Sequence, residues 1–293
     1  MPKNLSSSGQ TGPLSVGNVV SASLRIYRDH LKSYLGLALV ASLWLLVPIY
    51  GWVKYSAISA LISRLAFAEV REKPETVSDA RREVNPRRWR FFWAGILTFL
   101  IYIGVYVAVT VAVTIAMLIV VYVAGTIAAE ILGEEAVVAI IQQNSPIVAV
   151  LLVVVAVIAF LIIYIRIISR LFIVELPLAS ENNIGATSAI GRSWELSKGS
   201  VGRILWIFIV AFLVSLPLGI VGQILTGIVR RVVFSGLFPK SGLFYLVYYL
   251  LIWPPLSVGG GPLVSPFWQA MKAIIYYDLR SRKEGLGLQI RDR

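Results

Sequence analysis

Residues 91–129 read FFWAGILTFLIYIGVYVAVTVAVTIAMLIVVYVAGTIAA and contain no charge and no proline. At about 1.5 Å rise per residue, a helix of this length outruns the roughly 30 Å hydrocarbon core of a bilayer. Inside lipid the backbone must satisfy its own hydrogen bonds, which leaves helices or a closed barrel. The run is unbroken and lacks the alternation of a barrel strand, so helix is the reading. Other apolar runs flank it, and only 14% of the 293 residues are charged against 58% hydrophobic. A soluble core could not hide that much apolar surface. The expected fold class is therefore all-α, a polytopic integral membrane protein.

Composition narrows the chemistry. Cysteine is absent, which removes disulfides, thiolate metal sites and cysteine nucleophiles. A single histidine, His30, leaves no His-rich metal centre and no Ser-His-Asp triad elsewhere in the chain. We expect neither cofactor nor metal. Residues 1–13 are rich in Ser, Gly and Pro without an apolar core segment, which reads as a disordered cytoplasmic tail and not a cleavable signal peptide. Residues 14–293 form a single helical membrane domain on this reading.

Charge decides how the apolar runs are cut, because Lys and Arg translocate poorly on short loops. About six spans in three hairpins satisfy the rule, at residues 33–49, 50–69, 90–125, 147–171, 202–229 and 243–279. The external segments then hold only Lys54, Arg230, Arg231 and Lys240 out of 27 basic residues, and both termini are cytoplasmic. Pro48 and Gly51 supply the turn between the first two spans. Splitting the 91–129 run would reverse everything downstream and export Arg192, Lys198 and Arg203. A single helix that continues past the outer surface fits better. It joins residues 126–146, where apolar side chains alternate with Glu130, Glu134 and Glu135 in a helical pattern. Apolar surface beyond the bilayer calls for a partner, within the chain or from another subunit.

Each hairpin follows an amphipathic cytoplasmic stretch: Gly17 to Ser33, Pro74 to Trp89, and Gly185 to Ser200. The first and third look alike, with Arg25-Ile26-Tyr27 in one and Arg192-Ser193-Trp194 in the other, and the three read as repeated units of interfacial helix plus hairpin. Tryptophan and tyrosine sit at headgroup depth while arginine and lysine reach phosphate. A strongly basic inner face attracts anionic membrane lipids at about 1 kcal/mol per basic residue. The pI near 10.0 needs no nucleic acid to explain it.

Residues 175–205 read ELPLASENNIGATSAIGRSWELSKGSVGRIL, and 269–284 read QAMKAIIYYDLRSRKE. These segments resemble the membrane domain of the glycerophosphoryl diester phosphodiesterase family, which also occurs alone in uncharacterised bacterial membrane proteins. The likeness rests on Glu181, Gly185, Ala189, Ser193, Trp194, Leu196 and Gly199, and on Tyr276, Tyr277, Asp278, Leu279 and Arg280. It implies a multi-pass protein of the bacterial inner membrane, another internal membrane being the alternative. It does not carry the hydrolase activity, because in that family a separate soluble barrel performs it and no length remains here for one.

The last span is interrupted by Pro254-Pro255 and by Gly259-Gly260-Gly261-Pro262. Broken helices of this kind hold solutes, ions or lipids in transporters, and elsewhere are simple kinks packed through their glycines. Arg64, Arg166, Arg170 and Lys272 lie near span ends, where long basic side chains snorkel. His30 beside Asp29 reads as a surface residue. No nucleophile elbow, phosphate loop or paired catalytic carboxylate appears. The expectation is a non-enzymatic membrane scaffold or assembly factor; the alternative is a transporter or lipid-handling protein built around the break.

Overall fold

The computed structural model describes residues 15–237, 242 and 258–285. The expected tail at 1–13, Pro254, Pro255 and most of the 243–279 stretch ahead of Val258 lie outside the described residues. Among the described residues the chain is helical, without a strand. The helices are α1 (Val16–Asp29), α2 (Leu31–Trp44), α3 (Tyr50–Val70), α4 (Val77–Val84), α5 (Arg88–Leu132), α6 (Glu134–Leu171), α7 (Glu175–Ser180), α8 (Ala186–Ser197), α9 (Val201–Leu237) and α10 (Ser265–Glu284). The chain divides into two units, one of residues 1–96 with 170–293 and one of residues 97–169.

In the larger unit, caps and turns set the short helices. Ser15 Oγ accepts from the Asn18 N–H and Thr76 Oγ1 from the Asp79 N–H, so α1 and α4 each begin on a side chain that satisfies a first-turn donor. The stretches read as interfacial carry α1, α4 and α8, each with one buried face; α1 leads into α2 of equal length, and α4 and α8 lead into the much longer α5 and α9. The turn between α2 and α3 falls where Pro48 and Gly51 stand. A Cβ on Gly51 would lie 1.8 Å from the Trp44 carbonyl oxygen, so glycine is the residue that lets the helices close.

Helix α3 is the hub of this unit. It packs against α2, α4, α7 and α10, and its buried residues, from Val53 through Ala57, Ala60, Leu61, Ile62, Leu65 and Phe67, surround the helix. A helix apolar on all sides reads the same in sequence whether lipid or protein covers it. Here protein does.

The smaller unit is a two-helix hairpin, the distal parts of α5 and α6 joined at Gly133, whose φ of +86° lies in the left-handed region. Tyr102 faces Tyr164 and Tyr106 faces Phe160, ring to ring, which fixes the antiparallel register. As the uninterrupted run from Phe91 requires, α5 is one helix of 45 residues, about 68 Å long.

Among the described residues, three helices are long and apolar enough to cross a membrane; they fall in Val77–Leu132, Val153–Ser180 and Val201–Ile228. These contain α5, α6 and α9. Of the other expected spans, 33–49 and 50–69 differ for physical reasons, and of 243–279 only the part from Val258 is described. Helix α2 has 14 residues, about 21 Å, short of the roughly 30 Å core. Helix α3 is long enough but carries Lys54, Arg64 and Glu69 among neighbours that bury it.

Candidate functional site

Several charged and hydroxyl side chains of the larger unit meet between α3, α7, α8, α9 and α10. On α3, Tyr55, Ser59 and Ser63 recur every four residues and so share a face. Ser63 Oγ, fully buried, lies 3.0 Å from Glu175 Oε1 of α7 and 2.7 Å from Gln269 Oε1 of α10. Lys272 donates to the same Glu175 oxygen at 2.8 Å and stands over the Phe172 ring. Lys272 therefore pairs inward and does not snorkel. Arg64 does the same: it bridges Glu75 at 2.8 Å and donates to the Ala179 carbonyl at 2.7 Å.

A second cluster is centred on Glu181, at the end of α7. Its Oε1 accepts from the Tyr276 hydroxyl, lies 3.3 Å from Arg192 Nε of α8 and 3.9 Å from Arg280 of α10. Glu284 closes the ring, bonded to Arg192 and, at 2.8 Å, to Arg280. Burial alone would raise the Glu284 carboxyl, but the hydrogen bonds and charges of Arg280 and Arg192 outweigh it and hold the group below its ordinary value. Burial likewise disfavours the charge on Arg192, and the carboxylates of Glu181 and Glu284 reverse this and raise it. Arg87, in the 3-10 turn just ahead of α5, adds three further bonds, to the carbonyls of Leu178 and Glu181 and to the Asn182 side chain.

The residues singled out in sequence fall into this arrangement unevenly. Asp278, buried, accepts from Arg203 of α9 at 2.6 Å and from Arg282 at 2.9 Å. Ser193 Oγ donates to the Arg170 carbonyl at 2.6 Å, and the Arg170 guanidinium stacks 4.2 Å from the Trp194 ring centroid. Gly185 is the N-cap of α8, and Gly199 follows that helix with a φ of +83°. Tyr277 is half-buried on α10, beside the engaged Tyr276. Glu181 and Arg280 thus join one cluster, whereas Ser193 and Trp194 hold Arg170. His30, at the junction of α1 and α2, stands 3.2 Å from Glu69 and stacks on Tyr34.

Of the interrupted segment, Val258–Leu263 is a 3-10 turn containing Gly259, Gly260, Gly261 and Pro262. Gly261 has a φ of +65°. The Leu263 carbonyl accepts from the Tyr27 hydroxyl of α1 at 2.8 Å, and the Gly261 carbonyl from the Val264 N–H. Two of the freed backbone groups therefore have partners within the chain.

Sequence reasoning missed Ser63, Gln269 and the acceptor role of Glu175, because partners some hundred or two hundred residues away leave no local signal. Among the described residues no three His, Asp or Glu side chains stand together as a metal site. No protein-family model, no curated protein and no solved structure matches the chain. The resemblance to the phosphodiesterase-associated membrane domain rests on the quoted residues alone.

Proposed function

We propose that this chain is a non-enzymatic integral membrane scaffold or assembly factor, multi-pass in a bacterial inner membrane with its basic connections on the cytosolic side. The observation that carries the reading is the unpartnered apolar surface of the α5–α6 hairpin. Tyr122 is 72% and Ile131 74% exposed, on a helix more than twice as long as a hydrocarbon core is thick. Surface of that kind binds lipid where it is in the bilayer and a protein partner or second copy beyond it. The carboxylates and guanidiniums of the Glu181 cluster support the same reading from the other side. They bond to one another across α7, α8 and α10, which fits a rigid platform better than a reactive centre.

The test is purification from native membranes in mild detergent, alongside a variant lacking residues 113–152, the distal hairpin. A stoichiometric partner or a self-associated species that the shortened variant loses is the expected result. A monomer free of partners in both preparations would end the proposal.

A further inference from the structure

The outer face of the first two helices changes character abruptly. On α1 the exposed residues are mainly polar, among them Asn18, Ser21, Arg25 and Arg28, and α2 opens with exposed Lys32 and Ser33; Leu24 and Leu31 are exposed apolar exceptions. From Leu39 onward the exposed residues are apolar: Leu43 at 65%, Leu46 at 51%, and Ile49 at 61% at the turn into α3. Leu39 to Leu46 rises about 10 Å along the helix, less than one leaflet's share of a roughly 30 Å core.

Aromatic rings and cations collar this apolar tip. Trp44 and Tyr50 meet edge to face with centroids 5.7 Å apart, and Lys54 Nζ stands 5.8 Å and 5.6 Å from the two rings. The Arg88 guanidinium stands 5.8 Å from the Tyr50 ring. Arg88 is the first residue of α5, where the chain enters its longest apolar helix. An extended arginine and a tyrosine laid end to end cover only about half of the roughly 30 Å core. Tyr50 therefore cannot lie at one face of the bilayer with Arg88 at the other.

We infer that α2 and α3 are not two spans but a half-inserted hairpin, a wedge whose tip enters the same leaflet at which α5 begins. The partner is the lipid surface itself. Leu43, Leu46, Val47 and Ile49 sit among the upper acyl chains, Trp44 and Tyr50 lie at the glycerol level, and Lys54 and Arg88 face anionic phosphates. The cations argue for lipid over a second copy of the chain, because two identical tips would bring like charges together. The wedge leaves the cytosolic placement of the Arg81 to Arg90 linker intact, since a hairpin returns to the side it left.

The chain's lack of cysteine makes the test clean. Full-length Val47→Cys, labelled with a fluorophore and reconstituted into phosphatidylglycerol-containing vesicles, should lose most of its emission to lipids brominated near the headgroup and little to lipids brominated at the chain ends. The double variant Tyr50→Cys/Arg88→Cys should cross-link with a short bismaleimide. Lys54→Cys should react with an impermeant maleimide only from the side on which Arg82→Cys reacts. Quenching strongest at the bilayer centre, absence of quenching by any lipid, failure to cross-link, or labelling of Lys54→Cys from the opposite side would each overturn the inference. Absence of quenching would mean that water or a protein, and not lipid, covers the tip.

Discussion

At the scale of single residues, two glycines in one hairpin separate necessity from tolerance. Gly51 meets the Trp44 carbonyl, whereas a Cβ on Gly36, in the middle of α2, would meet nothing within 4 Å. Gly51→Ala must therefore push the two helices apart, at about 1–3 kcal/mol or more by the usual cost of overpacking. Gly36→Ala should instead stabilise by about 0.5–1 kcal/mol, since it removes backbone entropy from the unfolded chain without a clash. Thermal unfolding of the detergent-solubilised variants should move in opposite directions. A second residue prediction concerns Glu284, whose folded carboxyl sits below its ordinary value of 4.5. A depressed carboxylate contributes stability above the unfolded value and loses it as pH falls through the folded one. The difference in melting temperature between the protein and Glu284→Gln should hold constant above about pH 5 and shrink toward zero in more acid buffer. A difference that persists undiminished there would show that Glu284 acts through packing and not through charge.

Among elements, the joint of α7, α8 and α10 is the one that a single carboxylate controls. Glu181 serves Tyr276, Arg192 and Arg280 at once, so its loss leaves three polar groups short of an acceptor. Glu181→Gln should cost about 1.5–3 kcal/mol, the range for hydrogen bonds to charged groups, and Tyr276→Phe about 1 kcal/mol. Because the two share a contact, the double variant should lose less than the sum; strict additivity in a thermal-shift cycle would deny the coupling. The sequence singled out Glu181, Tyr276 and Arg280 by resemblance, but nothing in it showed that they meet. What the sequence did carry were local signals: the proline and glycine at the α2–α3 turn, the amphipathic stretches that became α1, α4 and α8, and the uninterrupted run that became α5. Gly133 escaped notice because one glycine between Leu132 and Glu134 interrupts the helical pattern by a single residue. The burial of α3 escaped for a deeper reason. Hydropathy measures how apolar a helix is and not what covers it, so a hub buried in protein mimics a span.

For the molecule as a whole, charge asymmetry rather than hydropathy carries the topology, and that claim has a direct consequence. On the topology proposed above, trading two crossings for a wedge would change the span count but not the sidedness, and the positive-inside rule would keep the basic linkers cytosolic and put Glu130, Glu134 and Glu135, at the head of the α5–α6 hairpin, outside. Moving the ten basic residues of the 71–90 and 192–203 segments across would cost far more than relocating three carboxylates, to which the positive-inside rule is nearly blind. Single cysteines at Arg82, Lys198 and Glu135 test this in intact cells. Glu135→Cys should react with an impermeant maleimide added outside, while Arg82→Cys and Lys198→Cys should react only after the membrane is opened. The three sites must sort together for the topology to stand. If Arg82→Cys and Lys198→Cys divide between the two sides, the α5–α6 hairpin does not return to the face it left, and the scaffold reading loses its geometry. If all three react from inside, the hairpin lies along the cytosolic surface, and its apolar length belongs to a partner instead of to lipid.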